Sequence, residues 1–262
     1  MQIDLSRYRV KFAETEVERA GAERLRYRVF VEEMGASASA LQHATRQESD
    51  GFDRFSEHLV LQDMSRESSD PMDSIVGVYR LMREEAAKAG PGFYSASEYD
   101  LDPILRSGRP ALELGRSCVA PEHRGGPALH LLWNGLAEYV LEHRIEILFG
   151  VASFPGTDPA PVAEALSWLH HNHLAPEHLR VRALPGGFLD MDRMPAEDVQ
   201  PTGAVRKIPS LIKAYLRLGG CVGEGAFVDR KFNTIDVCVV MDTARMNEKH
   251  RARYARHQRQ SA

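Results

Sequence analysis

The pattern of apolar and polar positions changes period once within residues 109–143. Residues 111–120, ALELGRSCVA, form an apolar-rich run of β-tolerant residues and predict a strand. From Leu129 onward, Leu129, Leu132, Trp133, Leu136 and Val140 recur at helical spacing and predict an amphipathic helix with one buried face. PEHRGGPA lies between them, with Pro127 where the first turn of a helix tolerates a missing N–H.

On either side the pattern is coarser. Residues 8–14 alternate like a strand, and 16–33 predict a helix with Val17, Gly21, Leu25 and Val29 on its buried stripe. Arg26 and Phe30 are four apart on that helix and face the same way. Residues 35–56 are polar and loop-like, ending in Asp50 and Asp53. Residues 57–63 and 74–83 read as paired strands, and the continuous apolar run 145–154 as a buried strand. A helix is predicted from Ala160 to His171, then an aperiodic excursion over 174–205. A second helix follows, with Ile208, Leu211, Ile212, Tyr215 and Leu216 on one face and Gly219 closing it, and then two strands around a polar turn. The final segment, RMNEKHRARYARHQRQSA, is basic and reads as a frayed helix. Strands and helices alternate in the middle while the start favours antiparallel pairing. The fold class is therefore α/β (α+β), a mixed central sheet with helices on both faces.

Composition narrows the function. A net charge of −4 speaks against a dedicated nucleic-acid binder. No apolar run approaches the length needed to cross a bilayer, and MQIDLSRYRVKF lacks the apolar core of a signal peptide, so a cytoplasmic protein is expected. Its basic end could rest on the anionic inner leaflet as a peripheral contact. Cys118, Cys221 and Cys238 are scattered and odd in number, as expected of reduced thiols in apolar strands. His170, His171 and His173 lack an acidic or cysteine companion at ligand spacing, so no metal is expected.

Chemistry concentrates on the central strand and loop. A glycine-rich turn feeding a helix N-terminus suits a phosphate, because free N–H groups and the helix dipole point at it; it is equally a tight structural connection. Arg124 stands directly before Gly125 and Gly126 and could pair with that phosphate. Glu113 and Arg116 are ionisable residues in a strand that would otherwise be apolar. The spacing His123 to Ala128 resembles the pyrophosphate loop of the GCN5-related N-acyltransferases, with His123 in place of the usual Arg or Gln. That departure leaves open a full coenzyme A pyrophosphate or the single phosphate of a phosphopantetheine arm.

Longer blocks carry a more specific resemblance. LRYRVFVEEMG, SDGFDRF, IVGVYRLM, GFYSASEYDL, LELGRSCVAPEHRGG, ASFPGTDP and the stretch from IPSLIKAYLRLGG to VMD together resemble the ornithine–acyl-ACP Nα-acyltransferases of bacterial ornithine-lipid synthesis. A more distant likeness extends to acyl-homoserine-lactone synthases. On that likeness Arg26 with Phe30, Asp50 with Asp53, Arg80, and Glu113 with Arg116 fall on characteristic positions. The tryptophan those synthases carry after the Phe is missing, which argues against their methionine-derived substrate.

The resemblance implies a single acyltransferase domain over residues 1–246, with a core at about 8–155, a family-specific part at about 156–246 and a basic tail at 247–262. It also implies transfer of a 3-hydroxyacyl group from acyl carrier protein to the α-amine of ornithine. The phosphopantetheine of the donor would be a co-substrate arm, with coenzyme A as the alternative donor and no tightly bound cofactor. Glu113 is then the candidate general base, a half-buried carboxylate with a raised pKa; its structural alternative is an ion pair with an arginine. Residues 113 and 116 face opposite ways in a regular strand unless a bulge near Gly115 realigns them. Such a bulge would let backbone N–H groups of Ser117, Cys118 and Val119 polarise the thioester carbonyl, with Arg124, Gly125, Gly126 and Ala128 holding the phosphate. For the amino acid, Arg26 and Arg80, with Phe30 beside them, are candidates for the carboxylate, and Asp50, Asp53 and Asp158 for the side-chain cation. Arg26, Asp50 and Asp53 could instead pair among themselves. The competing functions are a coenzyme A-dependent acetyltransferase and a non-catalytic, membrane-associated, cytolysin-like lipid binder.

Overall fold

The computed structural model describes residues 5–66 and 70–245; the basic tail lies outside them. The chain opens with β1 (Tyr8–Phe12) and α1 (Glu16–Arg26), whose start is fixed by a capping box between Thr15 and Glu18. The helix then widens into π-helical turns over Tyr27–Glu33. The polar stretch expected to be loop contains a short α2 (Ala40–Thr45), opened by a Ser39–Gln42 capping box and burying no side chain. With nothing to bury it leaves no apolar period, so only its cap marks it in the sequence.

Next come β2 (Glu57–Asp63), β3 (Ile75–Arg83), α3 (Glu84–Ala89), the two-residue β4 (Tyr99–Asp100) and α4 (Asp102–Leu105). The central motif is β5 (Ala111–Val119) and α5 (Ala128–Glu142), followed by β6 (Ile147–Pro155) and α6 (Ala163–His173). The expected excursion carries β7 (Arg182–Ala183), β8 (Phe188–Leu189) and a helix the pattern missed, α7 (Pro201–Lys207). The chain closes with α8 (Ser210–Arg217), β9 (Cys221–Val222), β10 (Ala226–Asp229) and β11 (Thr234–Asp242).

These elements form two compact units interleaved in sequence. One takes the chain to Pro91 together with Leu114–His143; the other takes Gly92–Glu113 and the chain from Arg144. In the first, β1 pairs with β2 and β2 with β3, all antiparallel. Helix α5 lies against this sheet, and glycines set how closely. A Cβ on Gly135 would stand 2.6 Å from Val10, and one on Gly77 would stand 2.9 Å from Leu132. The buried face is Ala128, Leu132, Trp133, Leu136 and Tyr139, a slight rotation from the expected stripe that leaves Leu129 and Val140 half-buried. Each fully buried large side chain there contributes about 1.5–3 kcal/mol.

In the second unit β5 runs parallel to β6 over Ala111–Glu113, and β6 pairs antiparallel with β11 along its whole length, from Ile147↔Asp242 to Pro155↔Thr234. β10 joins β11, β8 joins β10, and β9 also pairs with β11. Parallel and antiparallel ladders together make the sheet mixed, and the burial of Ile147–Gly150 accounts for the apolar run read at 145–154. The three cysteines lie in β5, β9 and β11 as free thiols.

Candidate functional site

In the first unit the charged residues of the sequence motifs gather into one buried network. Arg26, at the end of α1, is fully buried. Its NH1 and NH2 fork onto the two oxygens of Asp53 at 2.6 and 3.1 Å, and its Nε donates to Glu48 at 2.6 Å. Arg80 on β3 donates to Asp50 Oδ1 at 2.7 Å and to Asp53 at 3.2 Å. Arg116 takes the other oxygen of Asp50 at 2.8 Å. His58 Nε2 lies 3.1 Å from Asp53. Three guanidiniums thus meet three carboxylates. Burial alone would push the Asp53 carboxyl up, yet the His58 hydrogen bond and the Arg26 charge hold it well below the ordinary carboxylate range. Asp50 is also held low, Arg80 and Arg116 outweighing its burial. Arg80 is itself lowered by burial and by the like charges of Arg116 and Arg26.

This arrangement favours the mutual-pairing alternative for Arg26, Asp50 and Asp53. The network pins the end of α1 to the 48–53 loop and to β3. Glu48 and His58 belong to it and were missed. For Glu48 the available signal is the acidic spacing Glu48-x-Asp50-x-x-Asp53. His58 sits in an ordinary-looking strand, so no signal marked it. Phe30 is half-buried within the π-helical turns.

A bulge is expected near Gly115, and the backbone departs from regular strand geometry at the next residue. Arg116 has φ of 50°, a left-handed conformation that is rare for a non-glycine residue inside a strand and costs about 1–2 kcal/mol. The network holds that residue's side chain in place. Ser117 and Val119 are half-buried, and Cys118 is buried. Burial pushes the Cys118 thiol up to about 12, which suits a core residue and not a nucleophile.

In the loop, Gly125 has φ of 72° with open space where a side chain would go, so the conformational need for glycine falls on Gly125 and not Gly126. Arg124 forks onto Glu33 at 2.6 and 2.7 Å and donates to the Val119 carbonyl at 2.9 Å. Ala128 is the buried first residue of α5. His123 turns inward, buried, with Nε2 3.1 Å from Asp63.

In the second unit Glu113 is buried, not half-buried. Its Oε2 accepts the Tyr94 N–H at 2.9 Å and its Oε1 accepts the Ser95 N–H at 2.6 Å. The carboxylate therefore caps the single turn Tyr94–Ser97 through two backbone amides. Asp158 lies in the same unit, exposed, and accepts the N–H of Ala160 two residues on. It caps its own turn and is not part of the arginine network.

The histidine cluster gains the acid companion that linear spacing did not offer. Asp192 lies 3.4 Å from His171 and 4.0 Å from His170. His171 Nε2 also lies 2.8 Å from the Met194 carbonyl, which ties it to the backbone.

Comparison with known proteins agrees with this architecture. Residues 25–134 match the acetyltransferase (GNAT) domain family. An L-ornithine N(alpha)-acyltransferase of Rhodobacter capsulatus is 53% identical over 95% of each chain. Another, from Agrobacterium fabrum, is 45% identical over 88% of this chain and 79% of its own. Among solved structures, an N-acyl amino acid synthase from uncultured soil microbes superposes with a TM-score of 0.50 over 91% of each chain, at 13% identity. A coenzyme A-dependent acyl-homoserine lactone synthase gives the same score over 90% of this chain and 83% of its own, at 16% identity. At those identities the structures speak for the fold alone. The full-length relatives say more: this chain is an acyltransferase with the GNAT fold and belongs to the L-ornithine N(alpha)-acyltransferase family.

Proposed function

We propose that this enzyme moves a 3-hydroxyacyl group from acyl carrier protein to the α-amine of L-ornithine, giving lyso-ornithine lipid. The observation that carries the reading is near-full-length similarity to relatives bearing that name. In the reaction the α-ammonium loses a proton, the amine lone pair attacks the thioester carbonyl, and the C–S bond breaks to release the pantetheine thiol. Glu113 is the proposed general base. Its carboxylate is buried on the central strand and oriented by the N–H groups of Tyr94 and Ser95, which supports a fixed proton acceptor there. Backbone N–H groups of Ser117, Cys118 and Val119 are the proposed oxyanion donors, which the departure from regular strand geometry at Arg116 supports.

A cavity of about 500 Å³ in the first unit has Arg24, Arg28, Arg46 and Arg66 in its wall, each paired with a carboxylate of the chain that an anionic donor would have to displace. Arg124, Gly125, Gly126 and Ala128 remain the proposed phosphate cradle. Peripheral contact with an anionic leaflet through the basic tail belongs to the same proposal. Among the described residues no helix is long and apolar enough to cross a membrane.

Pure enzyme incubated with 3-hydroxyacyl-ACP and a panel of amino acids should yield acyl-ornithine. If another amine is acylated instead, the acceptor assignment falls. Turnover with acetyl-CoA and none with acyl-ACP would overturn the donor.

A further inference from the structure

A second group of ionisable residues lies in the unit that holds Glu113. Glu98 precedes β4, Asp229 ends β10, and Asp236 lies near the start of β11. Their carboxylate oxygens come within 4.8 Å of one another. All three residues are buried, Glu98 to 2% exposure and Asp236 to 3%. Among the described residues no arginine, lysine or histidine forms an ion pair with any of them. Both oxygens of Glu98 and Oδ1 of Asp236 are buried with no donor in good hydrogen-bond geometry; the polar groups nearest them are each other's carboxyls, Tyr94 beside Glu98, and Ser153 and Thr234 beside Asp236. Asp229 is partly satisfied, its Oδ1 accepting the N–H groups of Lys231 and Phe232.

Burying carboxylates without a cation is costly, because each charge loses its water. The strain appears as proton affinity. Burial and the charges of Asp236 and Asp229 raise Glu98 above the ordinary carboxylate range, and burial and Asp229 raise Asp236 against the hydrogen bonds of Ser153, Thr234 and Glu98, which hold it down. A cation between them would relieve the burial cost and the mutual repulsion together.

We infer that Glu98, Asp229 and Asp236 form the pocket for the side-chain ammonium of a diamino-acid acceptor. This rests on the acceptor proposed above, which carries such an ammonium. The acids first considered for the task are occupied: Asp50 and Asp53 by arginines, Asp158 by its own turn. Tyr94 ties the cluster to the proposed base. Its N–H donates to Glu113 and its hydroxyl reaches Asp229 at 3.4 Å. The two carboxylate centres are therefore held one tyrosine apart, matching an acceptor with two amines on one short chain, one to be acylated and one to be recognised. An ammonium with three N–H donors fits three converging carboxylates. An acceptor lacking it would leave them unpaired, which is how a buried polar site discriminates strongly.

The test compares L-ornithine with norvaline, which lacks the side-chain amine, at saturating acyl-ACP. Wild-type enzyme should favour ornithine by at least 100-fold in kcat/KM. Glu98→Gln should cut that preference at least tenfold by raising KM for ornithine, with KM for acyl-ACP unmoved. Asp229→Asn keeps the oxygen that accepts from Lys231 and Phe232, so it is the variant to read if Glu98→Gln does not fold. Acyl-ornithine formation with norvaline used equally well, or variants that keep the wild-type preference, overturns the inference and leaves the acylation reading standing. No acyl-ornithine from wild type overturns the reading beneath it. Thermal stabilisation by Mg²⁺ or Ca²⁺ that Glu98→Gln abolishes, with KM for ornithine unchanged, assigns the cluster to a metal and overturns the inference.

Discussion

At the scale of single residues, Glu113 shows how geometry changes what an experiment can separate. From the sequence, Glu113→Gln would mark a base by a fall in kcat with little change in stability, and a structural carboxylate by near-full kcat with a lower melting temperature. In the fold, each oxygen of Glu113 accepts a backbone N–H, so an amide would turn one acceptor into a donor facing a donor. An unsatisfied buried N–H costs about 1–3 kcal/mol, and Glu113→Gln should lower the melting temperature whatever the chemical role. The discriminating measurement is the rate: loss of a general base lowers kcat about 10²- to 10⁴-fold and removes the acid limb of the pH profile. Near-full kcat in a destabilised Glu113→Gln enzyme would leave the carboxylate as an anchor only. Arg26 makes a simpler case. Arg26→Met strands Glu48 and Asp53 without their main partner, and urea unfolding should show a loss on the order of 3–5 kcal/mol. A change within 1 kcal/mol would contradict the pinning role given to the network.

At the scale of elements, the loop before α5 holds an internal competitor. Glu33, at the end of the π-helical turns, accepts both terminal nitrogens of Arg124. If Arg124 serves the donor's phosphate, Glu33→Gln should release it and lower KM for acyl-ACP several-fold, while Arg124→Ala raises it. Steady-state kinetics at saturating ornithine read both, and equal KM values in all three enzymes would remove Arg124 from donor binding. The two glycines should also part company. Gly125→Ala forces an L-residue into a left-handed conformation at about 1–2 kcal/mol. Gly126→Ala meets only an ordinary contact, 3.6 Å from the His123 carbonyl, so any effect should appear in donor KM and not in melting.

For the molecule as a whole, two carboxylate populations set a pH optimum of stability. Asp50 and Asp53 have folded-state pKa values below their unfolded value of 3.8, so the folded form binds fewer protons there. Their stabilisation is complete above that pH and is lost as pH falls further. Glu98 and Asp236 have folded-state values above their unfolded ones, so the folded form binds more protons, and stability declines as pH rises through their folded values. Calorimetry from pH 3 to 9 should therefore find the highest melting temperature between about pH 4 and 5. Glu98→Gln should flatten the alkaline decline, and Asp53→Asn the acid one. An unchanged alkaline limb in Glu98→Gln would show that this carboxylate does not set it.

What the sequence determined by itself follows from local physics. Alternation, apolar runs and helical spacing located β1, β2, β3, β5, β6 and β11 as well as α1, α5, α6 and α8, because each buries a surface its pattern announces. Helices α2 and α7 escaped because short helices with little buried surface leave no period. The ordered motifs led to the family, and Arg26, Asp50, Asp53, Arg80 and Arg116 were all singled out as charged residues in apolar or motif positions. Only the tertiary structure decided that these five pair with one another, recruiting Glu48 and His58. It alone seated Glu113 on the amides of Tyr94 and Ser95. It also brought Glu98, Asp229 and Asp236 together across more than a hundred residues of chain. A residue's type and spacing record its chemistry, but which charge answers which depends on strands that meet only when the sheet assembles, and no one-dimensional period encodes that.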